Sequence, residues 1–333
     1  MKAIVMRAPG PAEVLEMADV PMPDISDAHQ MIVRLHAAGL NPLDTKVRKL
    51  HFMYPDHLPA ILGCDGAGIV DRVGDAVTRF KPGDEVYFFN GGLGREAGTY
   101  AEYTLVQEAH AALKPKRLSM VEAAAVPLVL ITAWEALYDR VALARGESVL
   151  IHAGAGGVGH IAIQLARIRG AHVATTIAGD EKAKFVHTLG AELVIDYRRD
   201  DFVAAALRWT GERGLDVVLD TVGGSPFYQS FPALRMYGRI ATILSTACEL
   251  GDVNRARMRN LIVGYVQMTV PSFLNNDAAR VAQTQMLEAA ATMIDNGELR
   301  VHVSAVLPLA RVAEGHRMLE AGHTTGKIVL EIA

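Results

Sequence analysis

Gly154, Gly156 and Gly159 stand at the spacing G-x-G-x-x-G within VLIHAGAGGVGHIAIQLARIR, residues 149–169. An apolar strand-like run precedes them and an apolar-striped helical run follows, which is the setting that gives the pattern chemical meaning. In that setting the first glycine allows a tight strand-to-helix turn, the second lets backbone approach a pyrophosphate, and the third lets the helix pack on the strand. Gly157, Val158 and Gly159 open the helix, and their free N–H groups face the phosphates. Glycine is common enough to produce the bare spacing by chance. A merely compact turn is the competing explanation, and the flanking strand and helix favour a dinucleotide site.

The residues after the turn bear on which dinucleotide. A free ribose 2′-OH is matched by a carboxylate at the end of the second strand, ~20 residues past the first glycine. Between His160 and Gly179 the sequence has no Asp or Glu, and the strand ends Ala174-Thr175-Thr176-Ile177-Ala178-Gly179. NADP(H) is therefore expected over NAD(H), with Thr176 at the cofactor. Lys182 is either the cation for a 2′-phosphate or a solvated helix-face lysine. Asp180 and Glu181 oppose the reading, although acids in a first helical turn are explained by the helix dipole alone. Asp220-Thr221-Val222-Gly223-Gly224 and Leu244-Ser245-Thr246 follow later strands, at the carboxyl ends where such sheets bind ligands. Ser245 is a cofactor candidate there, and ordinary turn chemistry explains the same residues.

These segments need a scaffold of a particular kind. The chain of 333 residues exceeds the ~250–300 at which single cores stop growing, so two domains are expected. Half of it is apolar, and 33 basic residues nearly balance 37 acidic ones, which gives no electrostatic attraction to nucleic acid or anionic membrane. No apolar run approaches a membrane span. With only Cys64 and Cys248 for thiols, a reducing, cytoplasmic location is expected. Up to about residue 120 short strand-like segments alternate with Pro and Gly turns, such as the segments MKAIVM, MIVRLHAAG, GAGIVDRVG and GTYAEYTLV. From Ser119, which forms a capping box with Glu122 at the head of a helix through Trp134 and Leu137, strands and helices alternate. The strands are read at residues 148–152, 172–176, 193–195, 216–220, 239–244 and 262–267. That alternation predicts an α/β, doubly wound parallel sheet. After a helix over residues 277–296, VHVSAVLPL and GKIVLEI are strand-like again and are expected to return to the first domain. The expected division is 1–121 with 299–333 for the β-rich domain and 122–298 for the dinucleotide domain, with a cofactor cleft between the lobes.

The motifs AAGLNPLDTKVR (Ala37–Arg48), LPAILGCDGAGIVDRVGDAV (Leu58–Val77), GTYAEY (Gly98–Tyr103), ITAWEAL (Ile131–Leu137), AGAGGVG (Ala153–Gly159) and LGAELVIDYR (Leu189–Arg198) occur in one order along the chain. In them the sequence resembles the zinc-independent quinone oxidoreductase group of the medium-chain dehydrogenase/reductase superfamily. The resemblance implies a GroES-like catalytic domain, a central Rossmann domain, and homodimers formed through the Rossmann domain. It also implies Asn41 against the nicotinamide ribose, Thr132 near the nicotinamide, Lys182 and Tyr197 at the 2′-phosphate, and Tyr54 in the substrate cleft.

In the zinc branch of that superfamily a Cys ligand lies in the early loop and a His follows the Gly of a GHE motif. Here Asn41-Pro42 and Cys64-Asp65 occupy those places, and two cysteines cannot supply a four-Cys structural site. No metal is expected. Cys64 reads as a small buried hydrophobe, and His51, Asp56 and His57 lack the spacing of a zinc helix. Without a metal, hydride transfer from nicotinamide C4 suits a quinone or α,β-unsaturated carbonyl, whose negative charge delocalises onto an oxygen that simple donors stabilise. Tyr54 is the candidate donor, or else a packing residue; Asp65 is a catalytic candidate, or else a brace for its loop. The alternatives are a zinc alcohol dehydrogenase with atypical ligands and a non-catalytic NADPH-binding protein.

Overall fold

A computed structural model describes residues 1–50, 58–93, 96–244 and 250–332 of the chain. They form two compact units, Met1–Leu128 joined by Thr269–Ala333, and the contiguous insert Val129–Met268.

The first unit is built on strands. β1 (Lys2–Met6) and β2 (Leu15–Asp19) make an antiparallel hairpin. β3 (Gln30–Gly39), β4 (Asp65–Val73), β5 (Glu85–Phe89), β6 (Tyr103–Gln107) and β7 (Ala111–Leu113) follow. β3 is central because most of its side chains are apolar and buried, including Met31, Ile32, Val33, Leu35, Ala37 and Ala38. It pairs antiparallel with β4 along one side and with β6 along part of the other. Helix α1 (Pro42–Leu50) leaves β3 at Asn41, and Asp44 reaches back to accept the Asn41 N–H at 2.8 Å. Pro at the first helical position and an acid at the third are helix-start signals; the sequence reading assigns no helix here.

Ser119 caps α2 (Met120–Ala124) as expected, its hydroxyl accepting the Glu122 N–H at 3.2 Å while the Glu122 carboxylate accepts the Ser119 N–H at 2.8 Å. The cap seats α2 on β3, where a Cβ on Gly39 would lie 2.2 Å from the Ala124 carbonyl oxygen. The expected single helix through Leu137 is instead broken, and α3 (Pro127–Trp134) starts afresh. Pro127 has no N–H to continue α2 and disfavours helical geometry at Val126.

The second unit is a six-stranded parallel sheet of β8 (Ser148–Ile151), β9 (His172–Ile177), β10 (Leu193–Asp196), β11 (Leu215–Asp220), β12 (Leu234–Thr242) and β13 (Ile262–Tyr265), in the order β10-β9-β8-β11-β12-β13. This is the doubly wound Rossmann arrangement, with the order reversing at β8. α4 (Gly157–Ile168), α5 (Asp180–Leu189) and α6 (Phe202–Trp209) connect the first four strands. β12 begins earlier than expected, at Leu234, because Tyr237 takes a left-handed φ of 61° and the register slips within the strand pair.

The chain then returns to the first unit. β14 (Val303–Pro308) lies parallel to β15 (Lys327–Glu331), and β15 pairs antiparallel with β3 through Val329 and Gly39. The helix Asp277–Asp295, which the sequence division groups with the dinucleotide domain, packs within the first unit. Tyr87 Oη donates to the Leu287 carbonyl at 2.6 Å and Arg280 Nη2 to Asn90 Oδ1 at 2.7 Å. Such distant polar pairs leave no local mark in the sequence. Among the described residues no helix is long and apolar enough to cross a membrane.

Removing the α2 cap by Ser119→Ala is expected to lower the stability of the first unit by about 1 kcal/mol, read as a shift of the urea midpoint without a change of slope.

Candidate functional site

The glycine turn is shaped by close approach. β8 ends at Ile151, and α4 starts at Gly157 after Gly156 as its N-cap. A Cβ on Gly154 would lie 2.0 Å from Thr175 Oγ1, and one on Gly159 would lie 2.4 Å from the Ala153 carbonyl oxygen. Those two positions therefore admit only glycine. A Cβ on Gly156 would meet nothing nearer than that same carbonyl, at 3.2 Å, so the ground above it stays open. The left-handed dihedral of the turn belongs to Ala153, with φ 49°. Gly157, Val158 and Gly159 are the first helical residues, whose N–H groups have no acceptor within the helix and carry its positive dipole end. An anion fits this cradle.

At the end of β9 the hydroxyls turn inward. Thr175 Oγ1 donates to the Ile151 carbonyl at 2.7 Å. Thr176 is buried, and its hydroxyl accepts the Ala153 N–H at 3.1 Å and meets His152 Nδ1 at 3.1 Å. It braces the turn and presents no free hydroxyl to a ligand. Beyond Gly179, Lys182 is half-buried, and its pKa is lowered by burial and then by the Arg198 guanidinium. Arg198 Nη2 lies 3.0 Å from where a Gly179 Cβ would project. The Asp196 carboxylate accepts the N–H groups of Gly179 and Arg198, each at 3.1 Å, and its pKa is held low chiefly by the latter. Tyr197 extends an exposed ring beside them. Arg198 is the residue that the sequence reading does not single out; the signal available was its place directly after Asp196-Tyr197. Asp220 closes the Asp220–Gly224 turn by accepting the N–H groups of Val222 at 3.0 Å and Gly223 at 2.9 Å. Thr132 is buried in α3. Tyr54 and Ser245, with His51, Asp56, His57 and Cys248, lie outside the described residues.

In the first unit Asn41 and Asp65 come together, fully buried, around Lys327. Asn41 Nδ2 donates to Asp65 Oδ2 at 3.0 Å. The Lys327 ammonium donates to the Leu40 carbonyl at 2.9 Å, to Asn41 Oδ1, and to Asp65 Oδ2 at 3.4 Å. The other Asp65 oxygen accepts the Leu128 N–H at 2.8 Å, in the first turn of α3. Beside them Asp44 accepts from Tyr100 Oη at 2.8 Å. Tyr100 in turn meets His316 Nε2 at 3.3 Å, and His316 Nδ1 accepts from Arg48 at 3.1 Å. Burial raises the Asp44 carboxyl to about 7 and drops the His316 imidazole to about 3. Asn41 and Asp65 thus spend their polar atoms within this cluster and hold the β3–α1 turn. The sequence reading does not single out Asp44, Tyr100, His316, Arg48 or Lys327.

Among the described residues no group of three His, Cys, Asp or Glu side chains is placed to hold a metal. Cys64 is buried with its Sγ 3.9 Å from Asp44 Oδ1, and burial pushes the thiol pKa well up, whereas a zinc ligand is a thiolate.

A Rossmann unit with an anion cradle, inserted into a GroES-like unit, is the build of a nicotinamide-dinucleotide oxidoreductase. Residues 27–116 match the alcohol dehydrogenase GroES-like domain family and residues 189–330 the zinc-binding dehydrogenase family. The chain is 32% identical to the quinone oxidoreductase of Pseudomonas aeruginosa, over 99% of both chains. It is 33% identical to the chloroplastic NADPH-dependent alkenal/one oxidoreductase of Arabidopsis thaliana, over 99% of this chain and 79% of that protein. A crystal structure of an NAD-dependent alcohol dehydrogenase superposes with a TM-score of 0.91 at 36% identity, covering 100% of each chain. The chain belongs to the medium-chain dehydrogenase/reductase superfamily, with its quinone oxidoreductase-like members, and is an oxidoreductase.

Replacing Lys327 by Met strands the Asp65 carboxylate in the interior and is expected to cost about 3–5 kcal/mol, whereas the paired change Asp65→Asn with Lys327→Met costs markedly less. Urea unfolding of the two variants checks the difference.

Proposed function

We propose that the protein is a zinc-independent, NADPH-dependent reductase of quinones or α,β-unsaturated carbonyls that works as a cytoplasmic homodimer. The observation that carries the cofactor choice is the pairing of Lys182 with Arg198 beside Gly179. The Lys182 ammonium, its pKa lowered by burial and then by the Arg198 guanidinium, is relieved by an anion, and a 2′-phosphate is the anion expected beyond the second strand of such a sheet. The Asp196 carboxylate nearby is already engaged by backbone N–H groups and by Arg198, so it opposes a phosphate less than a free acid would. The exposed Tyr197 ring supplies a flat surface at the same edge.

Bound NADPH supplies a hydride from nicotinamide C4. The protein's part is to hold the dinucleotide on the Gly154–Gly159 turn and to offer a hydrogen-bond donor to the oxygen on which charge develops. Tyr54 is the proposed donor. Asn41 and Asp65 act in this reading by bracing their turn, since neither exposes an atom. The relatives named for quinone and alkenal/one reduction support the acceptor class. The scarcity of cysteine suits a reducing compartment.

The test is NADPH and NADH oxidation across quinones and 2-alkenals, with and without EDTA. NADPH is expected to lead by tenfold or more in kcat/KM, with no loss to the chelator. Lys182→Ala and Arg198→Ala should each raise KM for NADPH about tenfold while leaving NADH unaffected. NADH matching NADPH overturns the cofactor assignment, and loss of rate with EDTA restores a zinc enzyme. Thermal stabilisation by NADPH without turnover of any acceptor favours a binding protein.

The dimer reading is supported by β13, the outermost strand of its sheet, which leaves Ile262 and Tyr265 exposed along an unpaired edge. Light scattering should give twice the chain mass for the native protein, and a single chain mass for Ile262→Lys combined with Tyr265→Lys.

A further inference from the structure

We infer that His152 is a positioning residue of the dinucleotide turn, acting through the Thr176 hydroxyl to hold the backbone at Ala153 and Gly154. The direction of every proton in the chain of contacts is determined. Ser230 Oγ donates to the Pro226 carbonyl at 2.7 Å, so at 2.8 Å from His152 Nε2 it must accept. That puts the ring proton on Nε2 and leaves Nδ1 as an acceptor. Thr176 Oγ1, 3.1 Å from Nδ1, therefore donates to it, which turns an oxygen lone pair toward the Ala153 N–H at 3.1 Å. The strand carbonyl of Thr176 takes the next N–H, that of Gly154, at 3.1 Å.

The turn needs this support. Ala153 carries a Cβ at φ 49°, a conformation such residues seldom adopt, so a fixed partner for its N–H is what keeps it there. The His152 backbone is held as well, its carbonyl accepting from Thr221 Oγ1 at 2.6 Å. The ring packs edge to face on Phe202 of α6, with centroids 4.9 Å apart. Thr176 of β9 and Ser230 meet its nitrogens, and Asp220 of β11 is the charged group that acts on it. Burial outweighs that carboxylate and drops the imidazole to about 4, so the ring is neutral and Nδ1 stays an acceptor at ordinary pH. Thr176, expected from sequence at the cofactor itself, serves it from beneath.

This inference rests on the dinucleotide reading of the turn, and not on the preference for NADPH or on the acceptor. Calorimetric titration with NADP+ and with NAD+ tests it on the native protein, Thr176→Val, Thr176→Ser, His152→Phe and the Thr176→Val/His152→Phe double variant, each checked for thermal unfolding. Thr176→Val and His152→Phe are expected to weaken binding about tenfold, Thr176→Ser to stay within twofold of native, and the double variant to bind no more weakly than either single one. Native-like binding by Thr176→Val, equal losses for Thr176→Ser and Thr176→Val, or losses that multiply in the double variant overturn the inference while leaving the dinucleotide reading intact. Failure of the native protein to bind either dinucleotide overturns both. If His152→Phe does not fold, the Thr176→Val and Thr176→Ser comparison decides.

Discussion

The Lys327 ammonium is buried, and three oxygens, from the adjacent Leu40 and Asn41 and from the distant Asp65, meet its three N–H bonds. A buried charge is tolerated only when paired and fully hydrogen-bonded, so this one group dictates where its neighbours stand. It pulls β15 into register beside β3. It also fixes the Asn41 amide, with oxygen toward the cation and nitrogen toward Asp65. Through Asp65 it reaches the first turn of α3, where a carboxylate is favoured by the helix dipole. A single cation thus sets the β15–β3 pairing, the β3–α1 turn and the start of the helix in which the second unit begins.

Both units use buried histidines as neutral connectors. His316 relays between Arg48 and Tyr100, and His152 between Ser230 and Thr176. In each case one ring nitrogen is assigned by a partner with no choice: a guanidinium can only donate, and a hydroxyl already donating elsewhere can only accept. The opposite nitrogen then has a defined role. Burial depresses both imidazoles, which keeps these chains in one protonation state across the neutral range.

What could be read from the sequence was what local spacing encodes. The alternation of strands and helices after Ser119, the capping box, and the close-packed role of Gly159 all depend on neighbours within a few residues. The start of α1 is equally local, since Pro42 and Asp44 mark it with recognisable signals. The cluster around Lys327 was not legible at all: Lys327 and Leu40 are 287 residues apart, and no periodicity relates them. Thr176 shows the same limit in miniature. Its position on β9 was right, yet which way its hydroxyl points depends on His152, after β8, and on Ser230, beyond β11.

The insertion of Val129–Met268 between the halves of the first unit has a consequence for the order in which the molecule is made. The second unit is continuous in the chain and can close as it emerges. The first cannot, because the Ala37–Gly39 end of β3 has no partner on its β15 side until residues 327–331 arrive. Through that interval the nascent first unit carries an open strand edge and an uncompensated Asp65 carboxylate, the features that invite misassembly. The last strand therefore acts as a completion signal for the first domain begun.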